Sequence, residues 1–255
     1  MAPKEFYSLI LAAGMGKRLR SAPDDTFPKV LREVNGRWMI GYVLDALRGA
    51  GTPDICVVIG VGAELVKLAL GDAVEYAVQP EALGSGHAAA CAKELLEGKS
   101  QHVIVMCGDS PLFTAETVAD LKREHLRRNA VITLVSAEVD DPTGYGRIVR
   151  PPEAGEITAI VEEKAASPEE KLIREINGGS YAFDSDWLWS NIGRIRVNDT
   201  GELYLTDMVR FAIDDGCVVA SVRADADEIL GVNTPEQLKQ AEDILCARQQ
   251  VIVQE

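Results

Sequence analysis

The chain has 255 residues, 47% of them hydrophobic, with 40 acidic against 26 basic side chains and a formal charge of −14. Such an acidic surface is repelled by phosphate backbones, which speaks against non-specific nucleic-acid binding, and no stretch approaches the roughly 18 consecutive apolar residues of a membrane span. The expected partners are small molecules or proteins, and an anionic substrate would need cations gathered locally against the overall field.

The length suits one large α/β domain. Residues 6–13, FYSLILAA, form a short apolar run ending at a glycine and read as a fully buried strand of a parallel sheet. After a loop reaching Pro28, a helix is expected over 39–48, stopped by Gly49 and Gly51. Alternation continues with a strand (54–61), a short helix (63–71), a strand (74–79), an Ala-rich helix (87–98) and a strand (102–108). Residues 114–129 read as an amphipathic helix with Thr114 as N-cap and Glu116 in the first turn, and 130–139 as a fifth strand. Strict alternation predicts a doubly wound, mostly parallel Rossmann-like sheet. Beyond it, 146–150, 156–163 and 176–184 are shorter strand-like pieces that suggest a smaller mixed β extension. Residues 234–250 read as a C-terminal helix with Thr234 as N-cap, Pro235 at N1 and Gln237 at N3.

Five cysteines, at 56, 91, 107, 217 and 246, make no CxxC pair, and most sit in apolar runs, as buried free thiols do. The N-terminus shows no signal-peptide pattern, so a reducing, cytoplasmic setting is expected.

The chemistry concentrates first in LILAAGMGKRL, residues 9–19, at the carboxyl end of the first strand, where open α/β sheets bind ligands. Gly14-x-Gly16 fits neither the dinucleotide fingerprint nor the P-loop. Its glycines still let backbone N–H groups approach a phosphate closely. Lys17, Arg18, Arg20, Lys29 and Arg32 place five cations in sixteen residues, partly offset by Asp24 and Asp25. On these residues alone the stretch is either a phosphate loop or a surface loop with scattered charge. Asp109, after a buried strand, is likewise either a metal ligand or a turn cap before Pro111.

LILAAGMGKRL…FPKVL resembles the nucleotide-binding signature of the sugar-nucleotide pyrophosphorylases, a family of nucleotidyltransferases. VQPEALGSGHA (78–88), MCGDSPL (106–112), DDPTGYGRIVR (140–150), IVEEK (160–164), EINGG (175–179), GELYLTD (201–207) and GVN (231–233) follow in the family's order. DDPTGYGRI with EIN and GVN is most similar to the branch acting on N-acetylglucosamine-1-phosphate and UTP. The resemblance implies a single nucleotidyltransferase domain over 1–255, with 1–111 mainly nucleotide-binding, 112–233 mainly sugar-binding and 234–250 the C-terminal helix. The left-handed β-helix acetyltransferase of the bifunctional enzymes is expected to be missing.

The implied reaction is attack by a sugar-1-phosphate oxygen on the α-phosphorus of the nucleotide, with pyrophosphate leaving in line. The nucleophile is already an anion, so no general base is required. What is required is alignment and neutralisation of two polyanions. The resemblance implies Mg²⁺ held by Asp109 and Asn233, Lys29 on the α-phosphate and Arg18 on the leaving pyrophosphate. It implies Ala12, Ala13, Gly14, Gly16, Gln79, Gly84 and Ser85 around the nucleotide, with Gln79 pairing a uracil edge. It implies Gly146, Glu162, Asn177, Tyr204 and Thr206 around the sugar.

The chain departs from the family pattern at Lys17 (for Thr), Ser85 (for Thr), Gly178 (for Thr), Leu203 (for an aromatic) and in a longer loop before Pro28. Gly178 and Leu203 are expected to face the sugar. His87 is expected to cap a helix, His102 to begin a strand and His125 to sit on a charged helix face, and none is assigned chemistry. Trp38, Trp187 and Trp189 are expected to serve packing.

Overall fold

The protein is described by a computed structural model that covers residues 3–252 apart from 20, 21, 23, 24, 152–154 and 200. Arg20 and Asp24, named among the loop charges, therefore lie outside the described residues.

The first apolar run becomes β1 (Lys4–Leu11), whose interior residues are buried. Its side chains alternate between faces, as period two requires: Tyr7 and Leu9 join one core cluster, Phe6 and Ile10 the other. A two-stranded ribbon, β2 (Glu33–Val34) with β3 (Arg37–Trp38), follows, and then α1 (Met39–Gly49). Next come β4 (Ile55–Ile59), α2 (Ala63–Leu70) and β5 (Glu75–Val78).

The Ala-rich stretch expected as one helix is two, α3 (Ser85–Ala90) and α4 (Lys93–Leu96). Bonds from Ala92 N to Ala89 O and from Leu95 N to Ala92 O tighten the chain into i→i+3 turns at the junction. β6 (Ser100–Cys107), α5 (Ala115–Arg128) and β7 (Ile132–Glu138) stand where the pattern put them. Thr114 caps α5, its hydroxyl accepting from Thr117 N at 3.2 Å.

The mixed extension is β8 (Arg147–Val149) and β9 (Ala159–Val161), which pair with each other, with β8 also touching β10 (Glu175–Asp184). The remaining elements are α6 (Ser185–Asn191), α7 (Asp207–Asp214), β11 (Val219–Arg223) and α8 (Pro235–Ile252).

The strand order is β11-β7-β10-β6-β1-β4-β5. β4, β1 and β6 are parallel neighbours, while β10 runs antiparallel to both β6 and β7. The chain thus winds one way from β1 to β4 and β5, then crosses to β6 on the other side. That reversal opens a crevice at the carboxyl ends of the strands.

The two sheet faces are covered by separate apolar clusters. One holds Leu9, Val105, Phe183, Trp189 and Met208, the other Ile10, Ile104, Val43, Leu47 and Leu121. A third cluster, including Val34, Met39, Leu112, Val232, Ala241 and Leu245, packs α8 beside the ribbon. No helix among the described residues is long and apolar enough to cross a membrane.

Thr234 begins α8 as expected, accepting from Gln237 N at 3.3 Å, but the Gln237 side chain reaches one residue further back and accepts from Asn233 N at 2.8 Å. That shift fixes the backbone of Asn233.

His125 does not lie on a charged face. It is 1% exposed and wedged between Thr133, 3.0 Å from Nδ1, and His102, 3.2 Å from Nε2. Of the tryptophans, Trp189 is buried in the core and Trp38 is exposed.

Candidate active site at the carboxyl edge of the sheet

Four parallel strands end side by side, and three of them, β1, β5 and β6, deliver parts of one cavity of about 310 Å³. β1 supplies Ala12, Ala13 and Gly14, β5 leads into Gln79, and β6 leads into Asp109. The loop before α3 adds Gly84, the first residue of α3 is Ser85, and Lys29 stands on the turn after Pro28. Eight residues singled out from the sequence thus line one space: Ala12, Ala13, Gly14, Lys29, Gln79, Gly84, Ser85 and Asp109. The volume is that of a small-molecule site.

Lys29 is the centre of the charged floor. Its side chain is 7% exposed, and its ammonium pairs with the Asp109 carboxylate and donates to Asn233 Oδ1 at 2.7 Å. Backbone bonding brings these partners together, because Val232 N donates to Asp109 O at 2.9 Å. Asn233 Nδ2 donates to Gly231 O at 3.2 Å, which turns its Oδ1 toward the lysine. Gly16, at φ +57°, presses on the lysine stem, since a Cβ there would stand 2.8 Å from Lys29 Cβ. Burial pushes the neighbouring Cys107 thiol up to about 12, so it stays neutral and the floor's charges are those of Lys29 and Asp109.

The other loop cations behave differently. Arg32 is paired with Asp25 at 2.5 Å and lies over the Phe27 ring. Lys17 and Arg18 are exposed on a short 3₁₀ turn and do not line the cavity. Gathering of cation around the cavity is therefore narrower than five charges in sixteen residues suggested.

Gln79 is 5% exposed. Its Nε2 donates to Gly84 O at 3.2 Å and lies 3.0 Å from His87 Nδ1. His87 does not cap α3; Gly84 occupies the cap position and His87 lies inside the helix. The loop is laced to a distant segment: Leu203 N donates to Leu83 O and Gly86 N to Leu203 O, both at 2.8 Å, and Leu205 N donates to Ser85 Oγ at 3.0 Å. Gly84, at φ +106°, is required there, because a Cβ would meet Leu203 O at 2.5 Å.

The residues assigned to the sugar form a second cluster outside the cavity lining. Asn177 N donates to Gly146 O at 2.8 Å, and Asn177 Nδ2 donates to Tyr181 Oη at 2.6 Å. Thr206 Oγ1 donates to Glu162 Oε1 at 2.9 Å. Burial raises the Glu162 pKa, opposed by the Thr206 hydrogen bond and supported by Asp207 and Glu202. Tyr204 follows Leu203 in the segment laced to the Gly84 loop. The two clusters meet where Cys107 Sγ contacts Gly179 O at 3.8 Å and where Glu202 enters the cavity wall.

Gly178 does not face the sugar cluster. A Cβ there would stand 2.8 Å from Ile229 Cγ2 and 3.0 Å from Val135 O, so packing beneath the sheet explains the glycine. Leu203 contributes through its backbone. Met15, Ala82, Cys107 and Glu202 also line the cavity and were not singled out, although each lies inside a quoted motif; only the carboxylate of Glu202 offered a charge as a signal.

The donor set fits a hard divalent cation. A carboxylate and an amide oxygen already converge on a cationic ammonium, and Mg²⁺ is commonly held by one or two protein oxygens plus substrate phosphates. No group of three or more His, Cys, Asp or Glu side chains among the described residues could hold a metal by itself.

Known proteins agree with this architecture. The chain is 46% identical over 243 residues to the bifunctional protein GlmU of Clostridium novyi, covering 94% of this chain and 52% of that one. It is 46% identical over 252 residues to the GlmU protein of Trichlorobacter lovleyi, covering 97% and 53%. The chain spans about half the length of these curated relatives. Among solved structures, one described as a glucose-1-phosphate thymidylyltransferase of Bacillus anthracis, in complex with a sucrose, superposes with a TM-score of 0.79 at 22% identity, covering 94% of each chain. Residues 7–250 match the nucleotidyl transferase family, and with these relatives the chain belongs to that family.

Proposed function

We propose that the chain transfers the uridylyl group of UTP to N-acetylglucosamine-1-phosphate, giving UDP-N-acetylglucosamine and pyrophosphate, with Mg²⁺. The observation that carries this reading is the convergence of Lys29, Asp109 and Asn233 at the floor of a cavity whose wall is Gly14, Gln79 and Gly84. Extensive similarity to the bifunctional GlmU proteins supports the choice of substrates.

Among the described residues that line the cavity there is no Ser–His–Asp set, and the proposed chemistry needs none, because a phosphate monoester is already a nucleophile. Asp109 and Asn233 would hold the Mg²⁺, which when bound neutralises phosphate charge and helps align the two anions. Lys29 contributes a fixed positive charge to the α-phosphate, where charge builds in the transition state. Amides of the Ala12–Gly16 loop approach the triphosphate, with Ala12 and Ala13 also offering backbone to the base, and Arg18 steadies the leaving pyrophosphate. Gln79 reads the pyrimidine edge and Gly84 and Ser85 shape the base loop. Gly146, Glu162, Asn177, Tyr204 and Thr206 bind the sugar hydroxyls and the acetamido group through a carboxylate, an amide and hydroxyls. Residues 1–111 then serve mainly the nucleotide and 112–233 mainly the sugar.

A second reading keeps the chemistry and changes the substrate to glucose-1-phosphate or dTTP. The departure of Leu203 from the aromatic that the family resemblance implies, next to Tyr204, favours it. A non-catalytic binding module is disfavoured by retention of Asp109, Asn233, Lys29 and Arg18.

The test is pyrophosphate release from UTP and Mg²⁺ with N-acetylglucosamine-1-phosphate, glucose-1-phosphate or no sugar, and with EDTA as control. Release is expected with the N-acetylated sugar alone and lost with EDTA. Equal release with glucose-1-phosphate would move the chain to the second reading, and none with any sugar would favour the binding module.

A further inference from the structure

His87 lies in α3 with its Nδ1 3.0 Å from Gln79 Nε2, and the same Nε2 is 3.2 Å from Gly84 O. A carbonyl oxygen only accepts, so the nitrogen end of the Gln79 amide must face Gly84. That amide has two protons. One goes to Gly84 O, and the other points to the Nδ1 lone pair of His87. The arrangement requires the imidazole proton on Nε2, where Cys91 Sγ lies 3.9 Å away as a weak acceptor.

The opposite tautomer has a different consequence. A proton on Nδ1 would be donated to Glu81 O, 3.1 Å away. Gln79 would then have to present its oxygen to that proton and, with it, to the Gly84 carbonyl. Gln79 Oε1 and Gly84 O, two acceptors, would then face each other and both amide protons would lose their partners. In the favoured arrangement both protons are paired and the one unmatched contact is His87 Nδ1 against Glu81 O at 3.1 Å, so the opposite tautomer is disfavoured. In the favoured one, Gln79 Oε1 has no hydrogen-bond partner among the described residues and is the polar atom that Gln79 offers to the cavity it lines.

The two orientations read different bases. Uracil and thymine carry an N3–H donor, which matches an amide oxygen. Cytosine carries an N3 acceptor, which matches an amide N–H. We propose that His87, through its Nδ1 acceptor, is a positioning residue that locks the Gln79 amide with its oxygen toward the base, so that the site takes imide-bearing pyrimidines and rejects cytosine. The proposal rests on Gln79 being the base reader.

The experiment measures kcat/KM for UTP and for CTP, with calorimetric binding of both nucleotides in parallel, in the wild type, Gln79→Ala, His87→Leu and His87→Asn. Asparagine can place an amide oxygen close to the Nδ1 position, whereas leucine offers no acceptor. His87→Leu is expected to lower the UTP-to-CTP ratio about tenfold, the worth of one misdirected hydrogen bond. The loss should fall on KM rather than kcat, and His87→Asn should restore most of it. Nitrogen-15 spectroscopy of His87 in the wild-type protein should find the proton on Nε2, a readout independent of whether the leucine variant folds. A ratio that falls in Gln79→Ala but stays unchanged in His87→Leu would overturn the role of His87 and leave the base reader in place. A ratio unchanged in both would remove the base reader itself. A proton on Nδ1, or equal losses in the leucine and asparagine variants, would also overturn the proposal.

Discussion

Asn233 Oδ1 accepts a 2.7 Å hydrogen bond from the Lys29 ammonium, across 204 residues of chain, and Asp109 shares that ammonium. The lysine therefore supplies a positive charge at the point where the two oxygens would hold a divalent cation. Two cations cannot share that point, so on the proposed function Lys29 would compete with the metal until nucleotide phosphates drew the ammonium away. Lys29→Met is expected to strengthen Mn²⁺ binding in the absence of nucleotide, read by electron paramagnetic resonance, while slowing turnover by about 100-fold or more. Weaker Mn²⁺ binding in the variant would show that the lysine does not compete for those oxygens.

Asp109 has a quarter of its side-chain surface exposed and its carboxylate is not part of the apolar core. Asp109→Ala should lower the melting temperature by several degrees, since it leaves the largely buried Lys29 ammonium with Asn233 alone, while the chain still folds. Turnover should fall by orders of magnitude, because charge neutralisation at the phosphates is lost. Near-normal turnover at saturating Mg²⁺ would mean that the metal is held elsewhere.

The Gly84 loop and the Leu203 segment act as one hydrogen-bonded unit. Gly84→Ala puts a methyl 2.5 Å from Leu203 O at φ +106°, whereas Gly98, at φ +76°, has open space around it. Gly98→Ala isolates the backbone strain, worth about 1–2 kcal/mol. Gly84→Ala should cost more and should raise KM for both substrates, since it displaces the partner of Gln79 and the neighbour of Tyr204. Denaturant midpoints at unchanged slope give the stability difference. Equal losses in the two variants would show that the Leu203 contact yields without cost.

The central strands were legible because β1, β4 and β6 are apolar runs closed by turn residues, and α5 and α8 because their caps are written in the sequence. α6 and α7 were not read: they are seven and eight residues long, and unlike the equally short α2 they do not sit between apolar strand runs in a repeating strand–helix alternation that marks the place of a helix. The antiparallel β10 between two parallel strands was hidden for another reason. Strand direction depends on partners far along the chain, and local pattern carries no trace of it. The same holds for the floor of the site. Lys29, Asp109 and Asn233 are individually ordinary, and only resemblance to a family grouped them before the fold did. His87 was passed over because its value lies in which atom of Gln79 it touches.

Burial holds the His125 imidazole down to about 3, with His102 adding to the effect. The unfolded chain takes up this proton near 6.5, the folded one only near 3. Between these values the unfolded state binds more protons, so stability falls as the solution is acidified through that window. His125→Asn, which can still pair with Thr133, should flatten this part of the profile. An unchanged slope in thermal melts across the window would place the titrating group elsewhere.

Glu162 carries the opposite sign. Burial raises its pKa in the folded protein above the ordinary 4.5. Below 4.5 both states are protonated and the burial costs nothing. As pH rises through the folded value the buried carboxylate ionises, and that share of stability is lost. Glu162→Gln keeps an acceptor for Thr206 and removes the charge, so it should melt higher than the wild type at neutral pH, with the advantage vanishing in acid. The same substitution trades a charged acceptor for a neutral one at the proposed sugar site. KM for the sugar phosphate should rise about tenfold while kcat and the KM for UTP stay close to the wild type, the difference between a charge-assisted and an ordinary hydrogen bond. A stabilised variant with an unchanged KM would separate the two roles: the carboxylate would be a strained buried group, and the sugar would be bound by Asn177 and its neighbours without it.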